Sequence, residues 1–363
     1  MNYYLNSNNI FLFLGLLLFL ACVGNSNAQI NNNTTNQSNN NNNNNNSTMF
    51  KVEALESYHG WRHCYRIRWH HFNAIVVSDV GPRILSLTFD NDQSNLFFEQ
   101  PDDFGNVGGD KWRLYGGHRL WHAPEVSPRT YYPDNEKIDV TIANDHVILT
   151  QPIEKTNNIA KQITIYGRGG ANQSNAHLEI VHQLTNHNQW AVPIAPWAVT
   201  VMAARTKSIL PMGVDDPQGL QPKSSISIWN YTKLKDERIT LGMKYLLAQQ
   251  NSTMKDANKV GVRSSNGWSA SVNDQYLFIK RISQLSQNHV VDLGANIEAY
   301  MSPDYLELET IGALTQLEPK ASASLTEKWF LFKSPTIFNL NNDQDVDQQV
   351  LPFVHQTSSG IPF

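Results

Sequence analysis

Residue types able to do chemistry gather in two short stretches of this 363-residue chain. The first is Trp112-Arg-Leu-Tyr-Gly-Gly-His-Arg-Leu-Trp-His-Ala-Pro-Glu125, where two Trp, two His, two Arg, a Tyr and a carboxylate surround a Gly-Gly pair. Gly116 and Gly117 permit a sharp bend or close backbone approach, and Pro124 favours an extended Ala123 and stops any helix there. The stretch is therefore expected to be a loop or strand end presenting His118, Arg119, Trp121 and His122. Flat aromatic faces beside charged hydrogen-bonding groups suit a sugar ring, which has apolar C–H faces and hydroxyl edges. A structural turn with its aromatics in the core accounts for the same residues. The i, i+4 spacing of His118 and His122 would suit a metal on a helix. The flanking Gly117 and Pro124 argue against a helix and no third ligand is evident, so neither a metal nor a cofactor is expected.

The second stretch is Leu306-Glu-Leu-Glu-Thr310. Period-two alternation places Glu307 and Glu309 on one strand face and both leucines on the other. A carboxylate partly buried on such a face has its pKa raised toward the range of a working base. The alternative is an ordinary solvated strand face, which is the reading taken for Glu307.

The elements that must position these groups are strands. Short alternating runs recur from Ala74–Val80 and Arg83–Phe89 through Gln162–Tyr166, His177–Leu184 and Ala198–Met202. They continue through Ser225–Trp229, Trp268–Val272, Tyr276–Ile279, Asn296–Tyr300, Tyr305–Glu309 and Ser324–Phe332. Gly, Asn, Pro and Asp punctuate them. No helical stripe exceeds two turns, and under a fifth of residues should be helical. Evenly spaced strands in one large unit imply an all-β antiparallel sandwich or barrel.

Ile10 to Cys22 is an apolar run, too short to span a membrane. It is followed by Ser26-Asn27-Ala28, and residues 1–28 read as a secretory signal cleaved before Gln29. Residues 29–48 are almost pure Asn, Ser and Thr, with nothing to bury, and should be disordered. Sequons fall in this tract and at Asn172, Asn230 and Asn251, glycan sites in a secreted protein. The folded part is assigned to 49–335, with 336–363 as a C-terminal tail. The formal net charge of -4 disfavours nucleic acid and anionic membranes as partners. Cys64 is the one cysteine left after cleavage, so the domain must be stable through its core; a monomer is expected.

At Gly117-His-Arg-Leu-Trp-His-Ala-Pro-Glu125 the chain resembles an uncharacterised domain family within the galactose mutarotase-like superfamily, which includes the aldose 1-epimerases. Gly81-Pro-Arg-Ile-Leu-Ser-Leu87, Trp197–Met202, Asn296–Tyr300 and Leu306–Thr310 extend the likeness over about residues 50–335. The resemblance implies an antiparallel β-supersandwich with a sugar-binding cleft on its concave face. It puts Glu309 in the position of the epimerases' base. Their His-x-Tyr-Phe is replaced here by Ala195-Pro-Trp-Ala198, so the usual acid is missing and His118 or His122 would have to supply it. Arg83, Arg119, Trp121, Glu125 and Trp197 would hold a carbohydrate ligand. The resemblance is compatible with two functions: an epimerase-type isomerase, or a carbohydrate-binding module without turnover. A structural secreted protein is a third reading.

Overall fold

The computed structural model describes residues 49–169, 175–283 and 290–358. The signal, the Asn tract and Asn172 lie outside the described residues. Strands account for 45% of residues and helices for 7%, in keeping with the period-two alternation of the sequence. All strand pairings are antiparallel, as short connections between consecutive strands dictate.

Two sheets face each other. The first, of 11 strands, runs in the order Lys51–Leu55, Cys64–Trp69, Phe72–Val77, Arg83–Phe89, His118–Ala123, Val192–Met202, Leu306–Ile311, Ile297–Met301, Asn258–Val262 and Ile226–Ile228, with Thr315–Leu317 paired to the start of Val192–Met202. The second, of 10 strands, has Tyr276–Ile282, Ser322–Lys333, His177–Asn186 and Ile159–Arg168 at its centre. Alternation assigns the faces. Leu120, Leu308, Ala299 and Val260 of the first sheet and Ile163, Ile180, Trp329 and Leu331 of the second form one core between the sheets. The intervening residues of the first sheet point away from that core.

Residues 336–358, expected to trail as a tail, close the outer face of the second sheet instead. Helices Asp343–Gln349 and Leu351–Gln356 set Val346, Val350 and Val354 against Ile209, Leu277, Ile279 and Phe330. The i, i+4, i+8 spacing of the three valines is one helical stripe, short enough to pass unnoticed beside the strand pattern.

The Gly-Gly pair makes the turn into a central strand. Gly116 and Gly117 have φ of +93° and +70°, and a Cβ on either would run into the carbonyl oxygen of Phe98 or Ile84. Beyond this turn, His118–Ala123 is a strand; of the loop or strand end expected it is the latter, but all six residues are buried rather than presented.

Candidate active site

Register through the middle of the first sheet sorts the candidate residues onto two faces. Arg119 pairs with Val199, Val199 with Glu309, and Glu309 with Glu298. Trp121 pairs with Trp197, and Glu307 with Tyr300, which pairs with Lys259. Cross-strand partners share a face, so these side chains project together, away from the second sheet. His118 pairs with Thr200, and Thr200 with Leu308, which puts it on the inter-sheet side. His122 has the same parity and shares that side.

On the outward face, Lys259 is the centre. Its Nζ lies 2.8 Å from Glu298 Oε2 and 2.9 Å from Glu309 Oε2. It also sits 4.7 Å from the ring centres of both Trp197 and Trp229, a cation held between two indoles. Trp197 Nε1 donates to the same Glu309 oxygen at 2.9 Å. Burial alone would lower the Lys259 pKa, but Glu298 and Glu309 hold it well above its ordinary value. Burial pushes Glu298 well up, and the charges of Glu309 and Asp292 add to this while Lys259 opposes. Next to this group, Arg119 Nη2 donates to Glu307 Oε1 at 2.9 Å, and its guanidinium lies 4.5 Å from the Trp121 ring centre and 5.6 Å from that of Trp112. Burial raises the Glu307 pKa, with Arg119 opposing. Trp121 meets Trp197, Tyr131 and Trp112 at centroid distances of 5.2 to 5.7 Å. Glu125 stands exposed at the rim and accepts from Tyr131 Oη.

Several hydrogen-bonding atoms here are buried without a hydrogen-bond partner among the described residues: Glu309 Oε1, Arg119 Nε and Nη1, Trp121 Nε1 and Trp112 Nε1. The face is covered rather than an open cleft. Val291 packs into the Trp121–Trp197 cluster, and Glu309 is 0% exposed. Val291 leads into Asp292 and Leu293, both with left-handed φ, and Leu293 is 88% exposed.

The inter-sheet side accounts for the histidines. His118 Nδ1 lies 2.8 Å from Thr200 Oγ1, His118 Nε2 lies 2.6 Å from His182 Nε2, and His182 Nδ1 lies 3.0 Å from Leu325 O. The carbonyl can only accept, which fixes a neutral chain: Thr200 hydroxyl to His118, His118 Nε2–H to His182, His182 Nδ1–H to carbonyl. Burial, with His182 and Lys280 nearby, pushes the His118 pKa well down. Glu327 completes a cluster whose donor atoms lie within 4.8 Å. Its carboxylate already accepts from Lys280 at 3.1 Å and from Trp329 Nε1 at 2.7 Å, so Lys280 supplies the positive charge that a cation would. His122 faces Glu154 at 3.6 Å, and Glu154 is paired with the buried Lys161 at 2.6 Å.

The assignment of His118 or His122 as an acid opposite Glu309 therefore fails: both imidazoles lie across the sheet from it. The pleat decides this, because residues 118 and 122 share one parity, and 119 and 121 the other. Arg83 has a structural role instead of a place in the ligand site. It is fully buried, donating to Asp134 at 2.7 Å and to the carbonyls of Leu114 and Gly116, and so clamps the Gly-Gly turn. Arg119, Trp121, Trp197 and Glu309 do converge. Lys259, Glu298 and Trp229 join them without having been singled out from sequence. Glu298, a lone carboxylate in an apolar alternating strand, was the available signal.

No protein-family model and no curated protein matches the sequence. Among solved structures, the chain is similar to a galactose mutarotase-like protein from Lactobacillus casei, at 11% identity over 74% of this chain and 99% of the other, with a TM-score of 0.50. The fold is galactose mutarotase-like. A TPR-domain containing protein from Parabacteroides distasonis matches at 13% identity and TM-score 0.50, over 77% of this chain and 48% of that one. Identities this low speak to the fold alone.

Proposed function

We propose that this is a secreted carbohydrate-binding protein whose ligand sits on the Glu309 face of the first sheet. Secretion rests on the Ile10–Cys22 apolar run and the Ser26-Asn27-Ala28 cleavage signature. The observation that carries sugar binding is the convergence of unpartnered hydrogen-bonding atoms among aromatic rings: Glu309 Oε1, Arg119 Nε and Nη1, Trp121 Nε1 and Trp112 Nε1. Each unpartnered buried group costs about 1–3 kcal/mol. A polyol answers the whole set. Its hydroxyls donate to the carboxylate oxygen and accept from guanidinium and indole, while its C–H face lies on Trp121 or Trp112. Glu125 and Tyr131 complete the rim. Entry requires the Val291–Leu293 segment to lift, and that segment carries the left-handed backbone at Asp292 and Leu293, a conformation that costs roughly 1–2 kcal/mol per residue.

A glycan array probed with the purified protein, followed by saturation-transfer NMR with free aldoses, tests this reading. Binding is expected, and Trp121→Ala and Arg119→Gln should each weaken it at least tenfold with the fold intact by circular dichroism. No carbohydrate bound on either platform, or binding indifferent to both substitutions, would overturn it.

A further inference from the structure

A cavity of about 670 Å³ lies at the end of the first sheet, apart from the Glu309 face. Val260 and Val262 face the core, so Lys259, Gly261 and, one residue beyond the strand, Arg263 share the opposite side. Arg263 N–H donates to Ser225 O, which carries the pairing past the edge strand Ile226–Ile228. Between Lys259 and Arg263 the space over Gly261 is filled. A Cβ there would come 2.8 Å from Ala295 Cβ and 3.3 Å from the Trp229 ring. Arg263 therefore opens into the cavity on the far side of Ala295 from Lys259.

The charges that line this cavity are answered, with one exception. Lys223 Nζ lies 2.8 Å from Asp215 Oδ1. Asp216 Oδ2 accepts from the backbone N–H groups of Leu220 and Gln221 at 2.7 and 3.1 Å, turned into its own loop. Arg263 pairs with no carboxylate among the described residues. Its surroundings aim it at one place. A Cβ built on Gly294 would have Arg263 Nη1 at 3.7 Å and Ser225 Oγ at 3.8 Å, so a guanidinium and a hydroxyl flank the space that this glycine leaves open. Gly294 has a φ of +104°, a conformation that favours glycine and keeps that space free of a side chain.

We propose that this cavity is a second binding site, for an acidic sugar bearing one carboxylate or one sulfate, with the anionic group seated over Gly294 between Arg263 and Ser225. The guanidinium fork matches a planar or tetrahedral oxyanion with paired N–H donors, and Ser225 donates a third hydrogen bond. One unanswered cation matches one negative charge. A phosphate monoester carries about −1.5 to −2 at neutral pH, more than the site neutralises. The cavity is much larger than an oxyanion, and the rest of its wall is hydroxyl and amide, from Ser224, Ser264, Gln221 and Asn296. Ser264 Oγ accepts from Asn266 N–H at 3.3 Å and keeps its own hydrogen to donate. Such a wall suits the hydroxyls of the ring that carries the acid. The site stands apart from the Glu309 face and does not rest on what that face binds.

Isothermal titration calorimetry of the purified full-length protein tests this with five probes: a disaccharide ending in a uronic acid, the same disaccharide with its acid reduced to an alcohol, a neutral disaccharide carrying one sulfate, a sugar phosphate, and inorganic sulfate. At least one of the two acidic disaccharides is expected to bind at least tenfold more tightly than the reduced one, and the tighter of the two identifies the anionic group. Arg263→Gln should remove that preference with Tm unchanged, since its guanidinium answers no charge in the protein. Arg263→Lys, which keeps the charge but loses the fork, should retain an intermediate preference. Ser225→Ala should weaken acid binding by a smaller factor. Trp121→Ala, on the Glu309 face, should leave it unchanged, so that failure of either site is seen separately. Equal affinity for the acidic and reduced disaccharides, or a preference that survives Arg263→Gln, overturns the site. Tighter binding of the sugar phosphate overturns the match to a single charge. Inorganic sulfate bound as tightly as the acidic sugars overturns the sugar, and loss of acid binding in Trp121→Ala overturns the location.

Discussion

Lys259→Met is the sharpest perturbation the structure offers, because a single buried ammonium is held between two buried carboxyl groups. Lys259 Nζ contacts Glu298 and Glu309 within 2.9 Å, and both acids are 0% exposed. Removing one partner of a buried ion pair costs about 3–5 kcal/mol, because the remaining charge is left without compensation. For roughly 300 folded residues, unfolding entropy is about 0.6 kcal/mol per degree, so Tm should fall by about 5–8 °C at pH 8. The effect has a definite pH dependence. The orphaned carboxylates gain raised folded pKa values, so their penalty is absent below the unfolded value near 4.5 and grows as pH rises through the folded ones. Differential scanning fluorimetry of wild type and Lys259→Met at pH 8 and pH 5 should show a Tm gap at least halved at the lower pH. Adding Glu309→Gln should recover part of the loss at pH 8, as expected for coupled neighbours. A gap that does not change with pH, or a Met variant as stable as wild type, would refute the electrostatic account of this cluster.

Other outcomes are expected from neighbouring geometry. Burial keeps His118 and His182 neutral by lowering both pKa values; the stability this supports is present above the unfolded value of 6.5 and lost as pH falls below it. Each imidazole contributes a slope of about 1.4 kcal/mol per pH unit, so His118→Gln should flatten the acid limb of a urea-denaturation profile by about one such increment, and an unchanged slope would count against the neutral chain. Gly117→Ala should destabilise by more than about 2 kcal/mol, read from the urea midpoint, since a Cβ there meets the Ile84 carbonyl at a φ of +70°. Truncation before Leu340 should yield aggregating protein by size-exclusion chromatography, because it uncovers Ile209, Leu277, Ile279 and Phe330; a monomeric, cooperatively melting product would show that the helices are dispensable.

The sheet itself was legible in the chain because period-two alternation survives wherever one face is buried. The strand Asn258–Val262 was not, and the reason is chemical. Its outward residues are a lysine and a glycine, which read as loop until Glu298 and Glu309, which both face the lysine, are known, Glu298 also filling the space above the glycine. Alternate residues of the Gly-Gly-His-Arg-Leu-Trp stretch lie on opposite faces of the sheet, Arg119 and Trp121 with Glu309 and the two histidines behind them. The sequence shows that two His, an Arg and a Trp lie close in the chain, but a strand sends alternate residues to opposite sides, and nothing in 118–122 alone says which parity faces the second sheet. That information sits about 60 residues away in His182, whose ring meets His118, and about 190 away in Glu307, whose carboxylate meets Arg119. The result is a sheet with polar chemistry on both sides. On the inner side the hydrogen-bonding atoms of His118 and His182 are paired with one another, Thr200 and a carbonyl, which is how a core retains histidines. On the outer side, at Glu309, Arg119 and Trp121, the pairing is left incomplete among aromatic rings; His122 on the inner side also has unpartnered nitrogens, so it is the aromatic surroundings, with Trp112, Trp121 and Trp197 beside the unpartnered atoms, that separate the candidate site from the network behind it.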